Sequence, residues 1–493
     1  MKILLIQPPH YYGGRNRPPS FFPLGLGYLS KVLLNSGHEV EIFDIWAHQY
    51  KNKEVKEKIK RLKYDIVGIS ALSTQYAYVK WLTSELKKHS NAPIVVGNAL
   101  ATYSPEIVLK HTKTDICCIG EGEITLKEII ENINKLEKVK GIYFKKGNKI
   151  IKNQLREYIK DLDSIPFPAW DLFPMDIYLK NCRLWGGLIT AMNLITTRGC
   201  PYNCKFCSKT FREIRLRSAE NVIKEIKTLK DKYGIEGIFF SEELLVINKA
   251  RTIAICEKIK KLKMKWVCQG RVNLVNLELL KCMKNAGCIV VGYGIESGSQ
   301  IILDNMNKMV TVEQAEMAIK NTIKAGMNPM IQMMYGYPGE TKETLQETIS
   351  FFKRCPYLGP QGIANAVKFS PITPLPGSEL YEQVVKNGLI KNEEEYLYSL
   401  EGGFMPDGTR TLVNFTNFSE KRFYAVMKRV EKQIYRNQLK SHFLRFMKDY
   451  SIMYFRILLT SFRVHGYKRT IKKVMQMVVL NSFRIIRNKR KDD

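Results

Sequence analysis

The sequence has 493 residues, of which 45% are hydrophobic and 25% are charged, and its formal net charge at pH 7 is +31. This composition excludes a disordered chain and allows several domains, each with its own hydrophobic core. No apolar run approaches the roughly 20 residues of a membrane-spanning helix, and no secretory leader is evident. The eleven cysteines are therefore expected to be reduced thiols of a cytoplasmic protein.

Residues 1–151 alternate short apolar runs with stretches of helical periodicity, such as 25–36 and 76–89. This alternation predicts an α/β domain with a doubly wound, Rossmann-like parallel sheet, which binds ligands at the carboxyl ends of its strands. A Gly147-Asn148 turn predicts a closing hairpin over 141–151. The predicted strands are 2–7, 39–43, 65–70, 93–97 and 115–120.

Turns rich in glycine follow or precede these strands. Gly25 and Gly27 lie at the start of the first predicted helix, Ser70 ends the third strand, and Gly97 ends the fourth. Each turn alone is also explained by the needs of a sheet. Residues 152–192 then form a predicted linker, because its closely spaced prolines exclude a regular helix.

Residues 193–400 contain six strand–helix repeats, which predict a partial (β/α)6 barrel with its chemistry at the strand C-termini. The helices include 218–233 and 311–325, and the second opens with a capping box at Thr311 and Gln314. The predicted strands are 193–197, 237–240, 265–269, 289–294, 329–335 and 365–370.

Three cysteines, Cys200, Cys204 and Cys207, follow the first predicted barrel strand at positions i, i+4 and i+7. This spacing allows three thiolates to surround one face of an iron–sulfur cube. A zinc site would need a fourth ligand nearby. A 4Fe-4S cluster normally takes four cysteines, so three would leave one iron free for another ligand. The alternative is that three structural thiols are clustered by chance.

Polar residues also follow the next barrel strands, where surface ion pairs are the alternative interpretation. Carboxylates suit an ammonium group or hydroxyls, and arginine suits a carboxylate. The candidate residues are Glu242, Glu243, Arg271, Gly294, Glu296 and Ser297.

The segment from Cys200 to Cys207 resembles the signature of the radical S-adenosylmethionine enzymes, and the turns of residues 1–151 resemble the cobalamin-binding domain fused to many of them. The resemblance covers residues 1–400. It implies that the three cysteines hold a 4Fe-4S cluster whose free iron binds S-adenosylmethionine, and that Phe206 covers the cluster. It also implies that cobalamin lies over the strand ends near Gly25, Gly27, Ser70 and Gly97.

The same resemblance assigns roles to the polar strand-end residues. Glu242 or Glu243 would bind the amino group of S-adenosylmethionine, Arg271 its carboxylate, and Glu296 its ribose, with Gly294 and Ser297 beside it. The Asp-x-His-x-x-Gly motif that supplies a lower axial histidine is absent after the first strand, where Pro8 stands in place of the aspartate and His10 in place of the histidine. The cobalt is therefore expected to lack a protein imidazole.

The expected activity is methylation of an unactivated carbon of a small or lipid-like substrate, with electrons from an external donor. The alternatives are radical oxidation or ring formation without methyl transfer, or a relative whose N-terminal domain no longer binds cobalamin. Product mass separates methyl transfer from the first alternative.

Residues 415–493 form a predicted basic helical region. From residue 421 onward there are 20 Lys or Arg and 4 Asp or Glu. The first helix is predicted to start after Ser419 and to end near 439. The region is either a helical cap on the barrel or an amphipathic element that contacts an anionic membrane. Nucleic acid is not expected as a partner, because no binding-module pattern is present.

Overall fold

The structure is a computed structural model that describes residues 1–441 except 13–14, 17, 185–188, 209, 243, 357, 359–366 and 404–412. Two seven-stranded sheets, each with helices packed on its faces, make up most of this part of the chain. Within it, none of the helices combines the length and the hydrophobicity that crossing a membrane requires.

The N-terminal sheet has the order β4-β1-β5-β6-β7-β8-β9, and its first five strands are parallel. The strands are β1 (Lys2–Gln7), β2 (Tyr11–Tyr12), β3 (Arg15–Asn16), β4 (Glu39–Asp44), β5 (Ile66–Ser70), β6 (Ile94–Gly97), β7 (Ile116–Cys118), β8 (Ile142–Lys146) and β9 (Lys149–Lys152). The helices are α1 (Leu24–Asn35), α2 (Ile45–His48), α3 (Asn52–Ile59), α4 (Tyr76–Lys87), α5 (Asn98–Tyr103), α6 (Pro105–His111), α7 (Gly122–Glu131) and α8 (Met175–Asn181).

The predicted doubly wound sheet is confirmed. Strand β1 is an interior strand of the sheet and is almost fully buried, as expected for an apolar strand covered on both faces. The strand order reverses at β1, which lies between β4 and β5. In folds of this kind a reversal opens a crevice at the carboxyl ends of the strands, where ligands bind. Strands β8 and β9 form the predicted hairpin at the other edge.

The second sheet has the order β10-β11-β14-β15-β16-β17-β18 and is parallel from β11 onward. Its strands and the accompanying short ribbon are β10 (Arg183–Leu184), β11 (Ile189–Leu194), β12 (Thr197–Arg198), β13 (Arg215–Leu216), β14 (Gly237–Phe240), β15 (Lys265–Gly270), β16 (Cys288–Glu296), β17 (Asn328–Tyr335) and β18 (Val367–Pro371). The helices are α9 (Ala219–Tyr233), α10 (Lys249–Lys261), α11 (Leu277–Asn285), α12 (Gln300–Asn305), α13 (Val312–Lys324), α14 (Lys342–Arg354), α15 (Glu379–Lys386), α16 (Glu393–Gly403) and α17 (Glu420–Ser441).

The first barrel strand differs from its predicted position. Strand β11 ends at Leu194, three residues before the predicted end. Asn193 is buried near this end, and its side chain accepts a hydrogen bond from Phe22 N at 2.7 Å and donates one to Phe22 O at 2.9 Å. Thr197 and Arg198 instead form the ribbon β12, which pairs with β13. The capping box at Thr311 is confirmed by both of its hydrogen bonds.

The connecting segment packs tightly between the two sheets. The prediction that its prolines exclude a regular helix is wrong for the last part, because α8 begins directly after Pro174, where a proline is compatible with a helix start. Trp170 and Phe173 are buried, and the Phe173 ring lies 4.7 Å from the Phe22 ring, centroid to centroid. Ala169 N donates a hydrogen bond to Gly27 O at 3.0 Å. The two sheets therefore have a fixed interface rather than a loose tether.

Helix α17 packs on the barrel, mainly against α14. Its buried residues Phe423, Met427, Val430 and Ile434 recur at helical spacing. Gln438 Nε2 donates hydrogen bonds to two carbonyls at the end of α14, at 2.9 and 3.2 Å. Residues 420–441 are thus a helical cap, whereas the rest of the predicted basic region lies outside the described residues.

Candidate functional site

The cysteine loop follows ribbon strand β12. Cys200, Cys204 and Cys207 are half-buried, form no disulfide with one another, and line one cavity of about 500 Å³, here called the cysteine cavity. Gly199 has a φ of +95°, and a Cβ atom there would lie 2.0 Å from Glu213 O, so only glycine fits. This glycine lets the loop begin directly against the neighbouring backbone.

The cysteine cavity has the donor chemistry of an iron–sulfur site. Among the described residues, no three His, Cys, Asp or Glu side chains are placed to hold a single metal ion. The three thiols of an iron–sulfur cube each bind a different iron, so a cube does not require that placement. Phe206 lines the same cavity. The sulfur donors therefore fit a cluster better than a single ion.

Arg271, at the end of β15, lies beside the cysteine loop. Its guanidinium carbon is 3.6 Å from the centroid of the Tyr202 ring, and Nη1 is 4.0 Å from Cys204 Sγ. Nη2 donates a hydrogen bond to Lys308 O. Nε is buried and has no partner among the described residues. These contacts hold the guanidinium in place, while its Nε–H remains available to donate a hydrogen bond.

Glu296, at the end of β16, forms an ion pair with Lys308 at 2.9 Å, and both side chains line the cysteine cavity. Glu296 has a φ of +72°, an unusual conformation for a residue other than glycine. A Cβ atom on Gly294 would lie 2.3 Å from Glu296 Oε1. Gly294 therefore makes room for this carboxylate rather than for direct approach of a ligand to the backbone.

One candidate residue does not line the cysteine cavity, and another is not described by the structure. Ser297 is buried outside the cavity lining, and its hydroxyl accepts a hydrogen bond from Ser299 N at 3.1 Å. Glu243 lies outside the described residues. Lys308 was missed by the sequence interpretation, because a lysine after a short helix gives no signal that it turns inward.

Glu242, after β14, is buried and faces a second cavity. Thr196 Oγ1 donates a hydrogen bond of 2.5 Å to Glu242 Oε1, while Oε2 has no partner among the described residues. Burial raises the pKa of Glu242 above its usual value, and the bond from Thr196 opposes this effect. The unpartnered oxygen is a vacant acceptor for a cationic or N–H-bearing group.

The second cavity, here called the sheet cavity, has a volume of about 430 Å³ and lies at the carboxyl ends of the N-terminal strands. Gly25, Ser70 and Gly97 line it. The positions that a Cβ atom would take on Gly25 and on Gly120 have no heavy atom within 4 Å. The backbone thus leaves open space that a large, flat ligand can fill, which fits a corrinoid over the strand ends.

Gly27 and His10 lie outside the sheet cavity. A Cβ atom on Gly27 would lie 2.8 Å from Pro168 Cβ, so this glycine permits packing of the connecting segment. The His10 ring lies 4.3 Å from the Trp46 ring, and burial lowers the pKa of His10 to about 4. No histidine is found among the described residues that line the sheet cavity.

The two cavities meet at the cysteine loop, because Cys200 lines both. A buried cluster of ion pairs holds this junction together. Arg198 contacts Glu121 at 2.6 Å and Glu123 at 2.5 Å, and Arg215 contacts Glu121 at 2.8 Å. The glutamates lie after β7, and the arginines lie on the ribbon that leads into the cysteine loop.

Comparison with protein families gives two matches in this chain. The sequence model of the B12 binding domain matches residues 14–130. The sequence model of the Radical SAM superfamily matches residues 194–352, which include the three cysteines and the ends of β14 to β17. The first match covers most of the N-terminal sheet and the second covers most of the barrel.

Similar proteins match both halves at once. An uncharacterised methyltransferase from Pyrococcus horikoshii is 34% identical over 79% of this chain and 84% of its own length. An anaerobic magnesium-protoporphyrin IX monomethyl ester cyclase from Cereibacter sphaeroides is 29% identical over 78% of this chain and 64% of its own length. The solved structure of the radical S-adenosylmethionine methyltransferase TsrM from Kitasatospora setae, with cobalamin and a [4Fe-4S] cluster bound, matches with a TM-score of 0.64 at 15% identity, covering 79% of this chain and 75% of that chain.

Proposed function

The chain belongs to the radical S-adenosylmethionine superfamily, in the group with a cobalamin-binding domain, and on this premise we propose that it methylates a carbon atom of a small-molecule substrate. The observation that carries the proposal is the position of Cys200, which lines both the sheet cavity and the cysteine cavity. A methyl donor in one cavity would therefore be next to radical chemistry in the other. The similarity to a methyltransferase at 34% identity supports the same conclusion.

The cofactors are a 4Fe-4S cluster, S-adenosylmethionine and cobalamin. When bound, they supply a radical that removes hydrogen from the substrate and a methyl group that replaces it. Cys200, Cys204 and Cys207 would hold the cluster through their thiolates. The rest of the chain positions these groups and excludes water from them.

For S-adenosylmethionine, the proposed contacts lie at the ends of the barrel strands. Arg271 would offer its unused Nε to the carboxylate, since Tyr202 and the Lys308 carbonyl already fix the guanidinium plane. Glu296 would accept hydrogen bonds from the ribose hydroxyls while Lys308 keeps its other side neutralised. Ser297 would support the turn that presents Glu296.

Glu242 would accept a hydrogen bond from the amino group through its unpartnered oxygen. An ammonium nearby would favour the ionised carboxylate and so oppose the effect of burial on its pKa. Gly294 would act indirectly, through the space it leaves for Glu296. Glu243 keeps its place as the alternative ligand for the same amino group.

For cobalamin, the proposed contacts are the turns that line the sheet cavity. Gly25, Ser70 and Gly97 would lie against the corrinoid or its nucleotide tail. Gly27 would act indirectly, by letting the connecting segment pack against the helix that carries Gly25. The proposed units of the chain are a cobalamin-binding domain over 1–151, a linker over 152–192, a barrel over 193–400 and a basic region over 415–493.

Two partners are part of the proposal. Cleavage of S-adenosylmethionine needs an electron, so an external donor would reduce the cluster. The 20 basic and 4 acidic residues from 421 onward support contact with an anionic membrane surface, and we propose a cytoplasmic enzyme that acts there on a lipid-like substrate.

Ring formation without methyl transfer is the second candidate function. It is favoured by the similarity to the ester cyclase, at 29% identity. The experiment that separates the two starts from enzyme reconstituted anaerobically with all three cofactors and a reductant. The enzyme is incubated with a small-molecule extract as the source of substrate, and mass spectrometry then compares the products with the starting compounds. Methyl transfer gives a product heavier by one CH2 group, whereas ring formation gives a product that has lost hydrogen.

A further inference from the structure

Three polar side chains line the cysteine cavity on the side of its last two strands. Gln332 lies on β17, and Lys368 and Ser370 lie on β18. The strands are parallel, with Gln332 opposite Lys368 and Met334 opposite Ser370. Since residues two apart on a strand point to the same face, the register places the three polar side chains side by side. Gln332, Lys368 and Ser370 are here called the donor strip.

The alternate residues of the same strands pack the other way, toward the helices. Ile331 is buried on β17 and does not line the cysteine cavity, and on β18 the Phe369 ring lies 6.2 Å from Phe352 of α14. Lys368 and Ser370 are exposed, and Gln332 is half-buried. The donor strip therefore faces the interior of the half-barrel, the side on which the three cysteines lie.

Among the described residues, none of the three side chains of the donor strip has a hydrogen-bond or ion-pair partner. Other polar groups of the cavity differ in this respect. Glu296 and Lys308 are paired with each other, and Arg271 is held by Tyr202 and a carbonyl. The strip thus keeps its capacity to donate hydrogen bonds.

The charges that line the cysteine cavity favour an anionic ligand. Its charged lining, apart from the cysteines, comprises the cations Arg271, Lys308 and Lys368 and the carboxylate Glu296. Glu296 neutralises Lys308, so Lys368 is a cation without a counter-charge in the described part of the chain. An ammonium beside a hydroxyl and an amide N–H forms strong hydrogen bonds with a carboxylate or a phosphate.

We propose that the donor strip binds an anionic group of the substrate, a carboxylate or a phosphate, and that Lys368 determines this specificity. The proposal rests on the proposed function, because it takes the cysteine cavity as the place where substrate is bound. Met334 lies on β17, two residues after Gln332 and opposite Ser370, and it lines the same cavity, so an apolar portion of the substrate would lie beside its anionic group.

The test uses benzoate and phenyl phosphate as probes, each an aromatic ring with one anionic group. Each is titrated separately by calorimetry into the full-length enzyme reconstituted with cluster, cobalamin and saturating S-adenosylmethionine, at low ionic strength and without reductant. Saturating S-adenosylmethionine blocks its own carboxylate site. The variants are Lys368→Met, Lys368→Arg and the control Lys281→Met, which removes an exposed lysine from α11 on the outer layer.

At least one probe is expected to bind the wild-type enzyme, and the comparison of the two identifies a carboxylate or a phosphate preference. Lys368→Met should weaken this binding by about tenfold or more, since it removes a charge-assisted hydrogen bond, while Lys368→Arg retains most of it. Lys281→Met should bind as the wild type does. The inference is overturned if neither probe binds the wild type, or if Lys368→Met weakens the binding of the probe no more than Lys281→Met does.

The proposed function is tested on the same wild-type sample by adding reductant and measuring 5′-deoxyadenosine. Its absence would contradict radical chemistry without changing the result for Lys368. Conversely, anion binding that is independent of Lys368 would overturn the donor strip and leave the proposed function in place.

Discussion

Arg198 Nη1 lies 2.6 Å from Glu121 Oε1, and this contact joins the ribbon that leads into the cysteine loop to the turn after the fifth strand of the N-terminal sheet. Arg198 also contacts Glu123, and the glutamates line the sheet cavity together with the arginine. Cys200 is only two residues from Arg198. The same ion pairs therefore fix the position of the wall of the sheet cavity and of the first thiol of the cysteine cavity.

The first prediction concerns this ion pair. Arg198→Met should lower the free energy of unfolding by about 3 kcal/mol, because it leaves the buried Glu123 carboxylate without its partner. Lys127→Met is the matched control, since the side chains of Lys127 and Glu131 are 43% and 48% exposed and lie 3.7 Å apart, and such surface pairs contribute less than about 1 kcal/mol. Urea unfolding followed by circular dichroism measures both.

A further substitution makes the Arg198 result more specific. Adding Glu123→Gln to Arg198→Met should recover part of the lost stability, because the unpaired buried charge is removed. If Arg198→Met unfolds at the same urea concentration as the wild type, the ion cluster does not hold the junction between the two cavities.

The second prediction concerns the thiols. Changing Cys200, Cys204 or Cys207 singly to Ala should abolish the iron–sulfur absorbance near the visible region and the formation of 5′-deoxyadenosine. Cys282→Ser is the matched control, because Cys282 is also a half-buried cysteine but lies on α11, away from the cysteine cavity. A triple variant of the loop that still forms 5′-deoxyadenosine would refute the cluster assignment.

The third prediction concerns the cobalt. Electron paramagnetic resonance of the cob(II)alamin form should show no nitrogen splitting from a protein imidazole, since His10 packs against Trp46 and lies outside the sheet cavity. His10→Ala should give the same spectrum. A nitrogen-split signal that disappears in His10→Ala would show that the imidazole reaches the cobalt after all.

The fourth prediction concerns the basic region. Deleting 442–493 keeps the described part of α17, together with the hydrogen bonds from Gln438 to the end of α14. The shortened enzyme should still cleave S-adenosylmethionine but should lose binding to anionic vesicles. Full-length enzyme should bind such vesicles at low salt and release them at high salt, because each basic residue contributes roughly 1 kcal/mol that salt screens. Full-length enzyme that ignores anionic vesicles at low salt would contradict membrane contact.

The sequence alone predicted the sheets well, because apolar runs and turns report burial and chain reversal directly. Strand β14 was predicted at its observed bounds, and β1 was as well. The error at β11 has a physical cause. The sequence predicts that a strand begins at Asn193, whereas Asn193 lies near the end of β11 and its side-chain amide forms two hydrogen bonds with the backbone of Phe22. Such a distant pairing leaves no local pattern.

The candidate site was predictable where spacing carries the chemistry and not where tertiary packing does. The three cysteines are close in sequence, and the structure places all of them on one cavity. Lys308 and the donor strip gave no such signal, because an inward-facing lysine and a surface lysine look alike in a sequence. Gly25 and Gly27 also looked equivalent, yet only Gly25 faces the sheet cavity.

The central claim is that one enzyme carries out both radical cleavage and methyl transfer at two adjoining cavities. It is tested most directly by anaerobic incubation of the reconstituted enzyme with cobalamin, reductant and S-adenosylmethionine that carries a deuterated methyl group. Mass spectrometry of the same sample should find 5′-deoxyadenosine and a corrinoid that carries the deuterated methyl group. A sample that forms 5′-deoxyadenosine while its bound corrinoid stays unlabelled, or that forms neither product, would contradict the claim.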